Sequence, residues 1–121
     1  MAKNILVVDD EDNIREVISE FLQTLGYNVV EATNGEEALM ACTRTKFDLV
    51  ISDIRMPKMN GIKLLKSLKT YMPGLPVILM TAYQPSKMQE DSLSVKADGY
   101  LLKPFSLNSL RQIILKIFKT L

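Results

Sequence analysis

Apolar residues in this chain fall into two alternating patterns. One is the short unbroken run: Ile5-Leu6-Val7-Val8, Leu49-Val50-Ile51 and Val77-Ile78-Leu79-Met80. The other is a stripe spaced three and four apart, as in Ile14, Val17, Ile18, Phe21, Leu22 and Leu25. Runs of the first kind suit strands buried on both faces, and the stripe suits a helix that packs by one face. Strands are predicted near 4–9, 27–32, 48–53, 76–81 and 98–102. The second, Tyr27-Asn28-Val29-Val30-Glu31-Ala32, is the most mixed and suits a sheet edge.

Helices fill the intervals. The first spans about 12–25. The second opens at Asn34, a residue suited to the N-cap, with Glu36 and Glu37 favourably placed in the first turn. The third runs from about Gly61 to Tyr71 with Leu64, Leu65 and Leu68 turned inward. The fourth, about 86–95, has only Met88, Leu93 and Val95 as apolar anchors, so weak docking and a movable element are expected there. The fifth follows Ser106, an N-cap candidate, and carries Leu107, Leu110, Ile113, Ile114 and Ile117. This alternation implies right-handed crossovers and a three-layer α/β sandwich, and it leaves the strand order open.

Composition narrows the partners. The 121 residues suit one domain, and 47% hydrophobic content argues against disorder. Fifteen basic and fourteen acidic residues leave a net charge of +1, which makes no electrostatic case for direct nucleic-acid binding or for a membrane surface. Lys63, Lys66 and Lys69 cluster on the third predicted helix and are read as a solvated face. The single Cys42 has no internal partner, and no apolar run approaches the length of a membrane span. A cytoplasmic location is expected.

The strand ends carry the chemistry. The first run leads into Asp9-Asp10-Glu11, the third into Asp53, the fourth into Thr81-Ala82 and the fifth into Lys103-Pro104. In a parallel sheet these ends share one edge, where open α/β sheets bind ligands. A turn that holds phosphate by its backbone is rich in Gly, Ser or Thr, whereas this first turn has the wrong sign for an anion. Acids in the first turn of a helix are ordinary caps, but capping does not account for Asp9 at the end of a buried strand or for the further acid at Asp53. A hard divalent cation accounts for both, and Mg2+, or Mn2+ in its place, is the expected cofactor. Asp53 beside such an ion is a credible nucleophile toward phosphorus. It precedes a tight loop marked by Met56-Pro57 and Asn60-Gly61. Thr81 and the Ala82 amide can donate to phosphate oxygens, and Lys103 supplies a point positive charge.

Taken together, Asp9-Asp10-Glu11, Asp53 with Met56-Pro57, Met59-Asn60-Gly61, Thr81-Ala82 and Lys103-Pro104-Phe105 resemble the receiver domain of two-component response regulators. The resemblance runs from Ile5 to about Phe118, and Tyr83 is similar to the single-domain regulators of phosphorelays. It implies that residues 1–121 form one receiver domain with a flavodoxin-like (βα)5 fold and a five-stranded parallel sheet in the order 2-1-3-4-5. By the same resemblance, Asp53 would take a phosphoryl group from a sensor histidine kinase or a histidine phosphotransferase. Asp10, Asp53 and the Arg55 carbonyl would bind Mg2+ directly, with Asp9 acting through a coordinated water. Thr81, Ala82 and Lys103 would hold the phosphoryl oxygens, and the Lys103-Pro104 bond would be cis. The chain would thus catalyse its own phosphorylation and dephosphorylation.

Thr81 and Tyr100 would form a switch pair that alters the face made by the fourth predicted helix, the fifth strand and the fifth predicted helix, and an output domain or downstream protein would read that face. Ile14, Met56, Pro57, Tyr83, Pro104 and Phe105 ring the acidic crevice and are candidates for docking the phosphodonor. Lys96 departs from the family, which usually has glycine before Ala97, and a lysine suits a left-handed helix end poorly.

Three other functions compete. A receiver-fold interaction module working without phosphorylation would be expected to have lost one of these groups, and none is lost. A phosphatase of the haloacid-dehalogenase type needs a second acid two residues beyond the nucleophile, where this chain has Arg55. A flavodoxin-like electron carrier is at odds with the acidic first turn.

Overall fold

A computed structural model of the chain describes residues 2–56, 58–82 and 96–120. Its elements in chain order are β1 (Asn4–Val8), α1 (Asp12–Thr24), β2 (Asn28–Ala32), α2 (Gly35–Arg44), β3 (Leu49–Asp53), α3 (Gly61–Tyr71), β4 (Val77–Thr81), β5 (Gly99–Leu102) and α4 (Leu107–Thr120). The five strands form one parallel sheet in the order β2-β1-β3-β4-β5. The predicted helix over 86–95 lies outside the described residues, so α4 is the fifth of the predicted helices.

Strand periodicity divides the core into two layers. Leu6, Val8, Val50, Val77 and Leu79 face α2 and α3, and meet Ala38, Cys42, Leu64, Leu65 and Leu68. Ile5, Val7, Ile51, Ile78 and Met80 face α1 and α4, and meet Ile18, Leu22, Leu110, Ile114 and Ile117. Burial on both faces is why β1, β3 and β4 read as unbroken apolar runs. The mixed second run is the edge strand β2.

Caps fall where the side-chain chemistry places them. Asn34 accepts from the Glu37 N–H at 2.9 Å, Asn60 from the Lys63 N–H at 2.9 Å and Ser106 from the Ser109 N–H at 3.0 Å. Gly26, at φ 93°, closes α1 in the left-handed region that glycine tolerates. Two expectations about side chains change. Val17 and Leu25 belong to the predicted apolar stripe of α1 yet are 52% and 36% exposed, because the buried face of the helix is carried by Ile18, Ser19 and Leu22, which leaves Val17 to one side and Leu25 past the helix end. Lys69 is not part of a solvated face. Its ammonium pairs with Asp98 at 2.7 Å and donates to the Leu75 carbonyl at 3.1 Å, while Asp98 also accepts the Val77 N–H at 2.8 Å. That cluster ties the end of α3 to the starts of β4 and β5.

Candidate functional site

The register of the sheet brings the predicted strand ends together. β1 and β3 run side by side, so Asp9 and Asp10 emerge beside Asp53, and Asp53 in turn pairs with Met80, one residue short of Thr81. One carboxylate oxygen from each of Asp9, Asp10 and Asp53 lies within 4.8 Å of the others. Asp10, Glu11, Asp53, Ile54, Arg55, Thr81, Ala82 and Lys103 line a cleft of about 380 Å3 above these oxygens. A larger groove of about 640 Å3 lies at the opposite end of β3 and β4, against Phe47, Met72 and Leu75, and contains none of these groups.

Asp53 is buried at 7% exposure. Its Oδ1 accepts the Ile54 N–H at 2.9 Å and lies 3.1 Å from the Lys103 ammonium. The backbone on either side is held closely: Ser52 Oγ donates to the Asp53 carbonyl at 2.8 Å, and Ile54 N–H donates to the Met80 carbonyl at 3.2 Å. Gly61 then returns beneath the loop, with its N–H on the Ile54 carbonyl at 2.8 Å. A Cβ at Gly61 would collide with the Asp53 carbonyl oxygen and come within 2.8 Å of Ile54 Cα, so only glycine fits there. The Asn60-Gly61 pair that reads as a turn signal in the sequence is thus also a requirement of close approach.

Asp9 is the most constrained acid. It is fully buried; Oδ1 accepts the Glu11 N–H at 2.9 Å, and Oδ2 has no hydrogen-bond partner among the described residues. Burial pushes its pKa up to about 6 from 3.8, and the charges of Asp53 and Asp10 push the same way; the Glu11 N–H and Lys103 pull it down. Three converging carboxylates, one with an orphaned buried oxygen, form an all-oxygen donor set that fits a hard divalent cation.

Thr81 is buried at the end of β4, and its carbonyl accepts the Lys103 N–H at 2.7 Å, which fixes the start of the segment that carries the ammonium. Ala82 is exposed at the cleft rim. The Lys103-Pro104 peptide is cis. Tyr100 is half-buried against the α2/α3 layer, and its hydroxyl accepts the Ala97 N–H at 3.3 Å.

The six docking candidates separate by burial. Met56, 9% exposed, packs into the α2/α3 layer and has the least surface to offer. Ile14 and Phe105 lie partly buried against the other layer, and Pro104 is exposed. Pro57 and Tyr83 are outside the described residues.

Comparison with known proteins decides the family. The chain matches the response regulator receiver domain over residues 5–115. It belongs to that family. Sporulation initiation phosphotransferase F of Bacillus subtilis is 36% identical over 96% of this chain and 94% of its own length. Regulatory protein AtoC of Escherichia coli is 42% identical over 91% of this chain, which spans only 24% of AtoC. Among solved structures, chemotaxis response regulator CheY4 of Vibrio cholerae superposes with a TM-score of 0.89 at 31% identity, covering 97% of this chain and 99% of that one. Response regulator TrrA of Thermotoga maritima, solved with Mg2+-BeF, is 40% identical with a TM-score of 0.85, covering 95% and 98%.

The receiver domain is the phosphoacceptor domain of two-component signalling, and receiver domains take phosphoryl groups from histidine kinases or phosphotransfer proteins. They bind Mg2+ through an acidic cluster of the kind Asp9, Asp10 and Asp53 form here. Among the described residues, no helix is long and apolar enough to cross a membrane.

A residue the sequence analysis missed completes the site. Arg15, on α1, donates from Nη1 to the Asp9 carbonyl at 2.7 Å, from Nη2 to Asp12 at 2.7 Å and from Nε to Glu31 at 2.9 Å. The signal was available: Arg15 is the only basic residue between Lys3 and Arg44.

Proposed function

We propose that Asp53 is the phosphoacceptor of this receiver domain, supplied by a sensor histidine kinase or a histidine phosphotransferase. The observation that carries the reading is the Asp53 carboxylate itself, held at a strand end between two further carboxylates and the Lys103 ammonium 3.1 Å away. Asp9, Asp10 and Asp53 would hold Mg2+, which supplies charge neutralisation for phosphoryl transfer when bound. That TrrA, 40% identical, was solved in complex with Mg2+-BeF supports a hard cation as the ligand of this acidic cluster.

The chain's own residues have separate tasks. An oxygen of Asp53 forms a new P–O bond while the donor's P–N bond breaks, and the imidazole keeps the nitrogen lone pair. The Ile54 N–H and Lys103 fix the plane of the attacking carboxylate beforehand. Lys103, Thr81 and the Ala82 amide take the charge of the phosphoryl oxygens. Once the carboxylate has become an acyl phosphate, Lys103 gains a more highly charged partner and the Thr81 hydroxyl a reason to turn toward it. Tyr100, one strand away, would follow through the switch pair, and β5 and α4 would present a changed face to an output domain or downstream protein. Ile14, Pro104 and Phe105 are the docking candidates among the described residues with surface to offer the phosphodonor. Arg55 and Tyr83 offer no carboxylate or amide to orient an attacking water, so the phosphorylated form is long-lived for this chemistry.

Incubation with acetyl phosphate and Mg2+ tests the reading. Wild type should gain one phosphoryl group by intact mass and Asp53→Asn none; equal gain by both proteins sinks the assignment.

A further inference from the structure

Four acids in a row, Asp9, Asp10, Glu11 and Asp12, make the turn after β1 self-repelling. Asp9 and Asp10 must nevertheless stay converged on Asp53. The turn has little internal bracing: the N-cap of α1, Glu11, makes no side-chain cap hydrogen bond, and its N–H goes back to Asp9. What crosses the turn is Arg15. Its side chain is 11% exposed, and the guanidinium reaches back to the Asp9 carbonyl and is itself anchored by Asp12 on α1 and Glu31 near the end of edge strand β2. One planar fork thus joins edge strand β2, the helix and, at the end of β1, the first acid of the site. A lysine has one ammonium and no fork with which to reach three acceptors in these directions.

We propose that Arg15 is a positioning residue of the metal site: by holding the Asp9 carbonyl against Glu31 and Asp12, it keeps the β1–α1 turn closed so that Asp9 and Asp10 stay directed at Asp53. This rests on the reading that the three carboxylates bind Mg2+. Arg15 touches neither the metal nor the phosphoryl group, and acts only through the turn. Groups that orient metal ligands from behind commonly alter affinity 10–100-fold when removed.

The sign of the effect separates positioning from mere proximity. A bystander cation near a cation site weakens Mg2+ binding by repulsion, so deleting it should tighten binding. A positioning residue does the reverse. Calorimetric titration of Mg2+ into wild type, Arg15→Ala and Arg15→Lys reads this directly. The expected result is at least about tenfold weaker binding in Arg15→Ala, with Arg15→Lys recovering only part of the loss although it keeps the charge. A second readout needs no metal. Exchange of the Glu11 amide proton, which reports the Asp9 Oδ1 bond, should speed up in both variants while amides of β3 and β4 stay protected.

Unchanged or tighter Mg2+ binding in Arg15→Ala, or full recovery by lysine, overturns the positioning role. So does an unchanged Glu11 exchange rate. Absence of Mg2+ binding by wild type overturns the metal-site reading and this role with it, and is distinct from a failure of Arg15 alone. Should Arg15→Ala not fold, Arg15→Lys carries both measurements.

Discussion

Asp9→Asn should stabilise the protein at neutral pH when divalent metal is absent. Asp9 is fully buried, one of its oxygens has no partner among the described residues, and carboxylate oxygens of Asp10 and Asp53 lie within 4.8 Å. At that separation and an effective dielectric of ~20, one pair of charges repels by about 3.5 kcal/mol. Burial first, then the neighbouring acids, raises the Asp9 pKa from 3.8 to about 6. At 1.36 kcal/mol per unit, that shift amounts to roughly 3 kcal/mol held against the folded state at neutral pH. Asparagine keeps the shape, can still accept the Glu11 N–H, and carries no charge. Burying its amide offsets part of the gain, which leaves about 2 kcal/mol, or roughly 5–10 °C in Tm for a domain of this size.

The pH dependence has a definite sign. The folded pKa lies above the unfolded one, so between pH 3.8 and about 6 the folded state holds a proton the unfolded state has lost. Stability from this group falls as pH rises through that window, and the advantage of asparagine therefore disappears near pH ~4. Thermal melts by circular dichroism in a chelator, from acid to neutral pH, measure both effects. A variant that melts no higher than wild type at neutral pH, or a gap that fails to narrow in acid, refutes the reasoning.

Mg2+ should reverse that order, since ligand at 100 times its Kd adds about 2.7 kcal/mol to a binding-competent fold and less to a variant missing a ligand; equal shifts in Tm for wild type and Asp9→Asn would contradict it. Gly61→Ala should destabilise by about 2 kcal/mol or more and impair phosphoacceptance together, because the added methyl displaces the Asp53 backbone; melts and labelling of the same sample check the pairing. Asp98→Ala should cost about 1–2 kcal/mol by stranding the Val77 N–H and the Lys69 ammonium, read by denaturant melts, and should leave Mg2+ affinity unchanged.

The fold was open to reading because its core is simple: three runs buried on both faces can only be inner strands, and period alone places the helices between them. The converging acids were legible for the same reason, since parallel strands put all their C-terminal ends on one edge. Other features depend on what the chain meets in three dimensions. Val17 falls to one side of the helix face that Ile18, Ser19 and Leu22 bury, and Met56 sits in a loop that happens to dive into the core. Lys69 looked solvated until Asp98, 29 residues away, came within an ion-pair distance. Arg15 was marked only by being the sole basic residue between Lys3 and Arg44, since its partner at the site is a backbone carbonyl, which leaves no trace in a sequence.

The most direct test asks which atom carries the phosphorus. Reduction of an acyl phosphate with borohydride converts the modified aspartate to homoserine, and peptide mass mapping then gives its position. After treatment of wild type with Mg2+ and a phosphorylated histidine donor, homoserine should appear at position 53 and nowhere else. Homoserine at position 9 or 10, or stable phosphate on a hydroxyl with none at Asp53, would contradict the account.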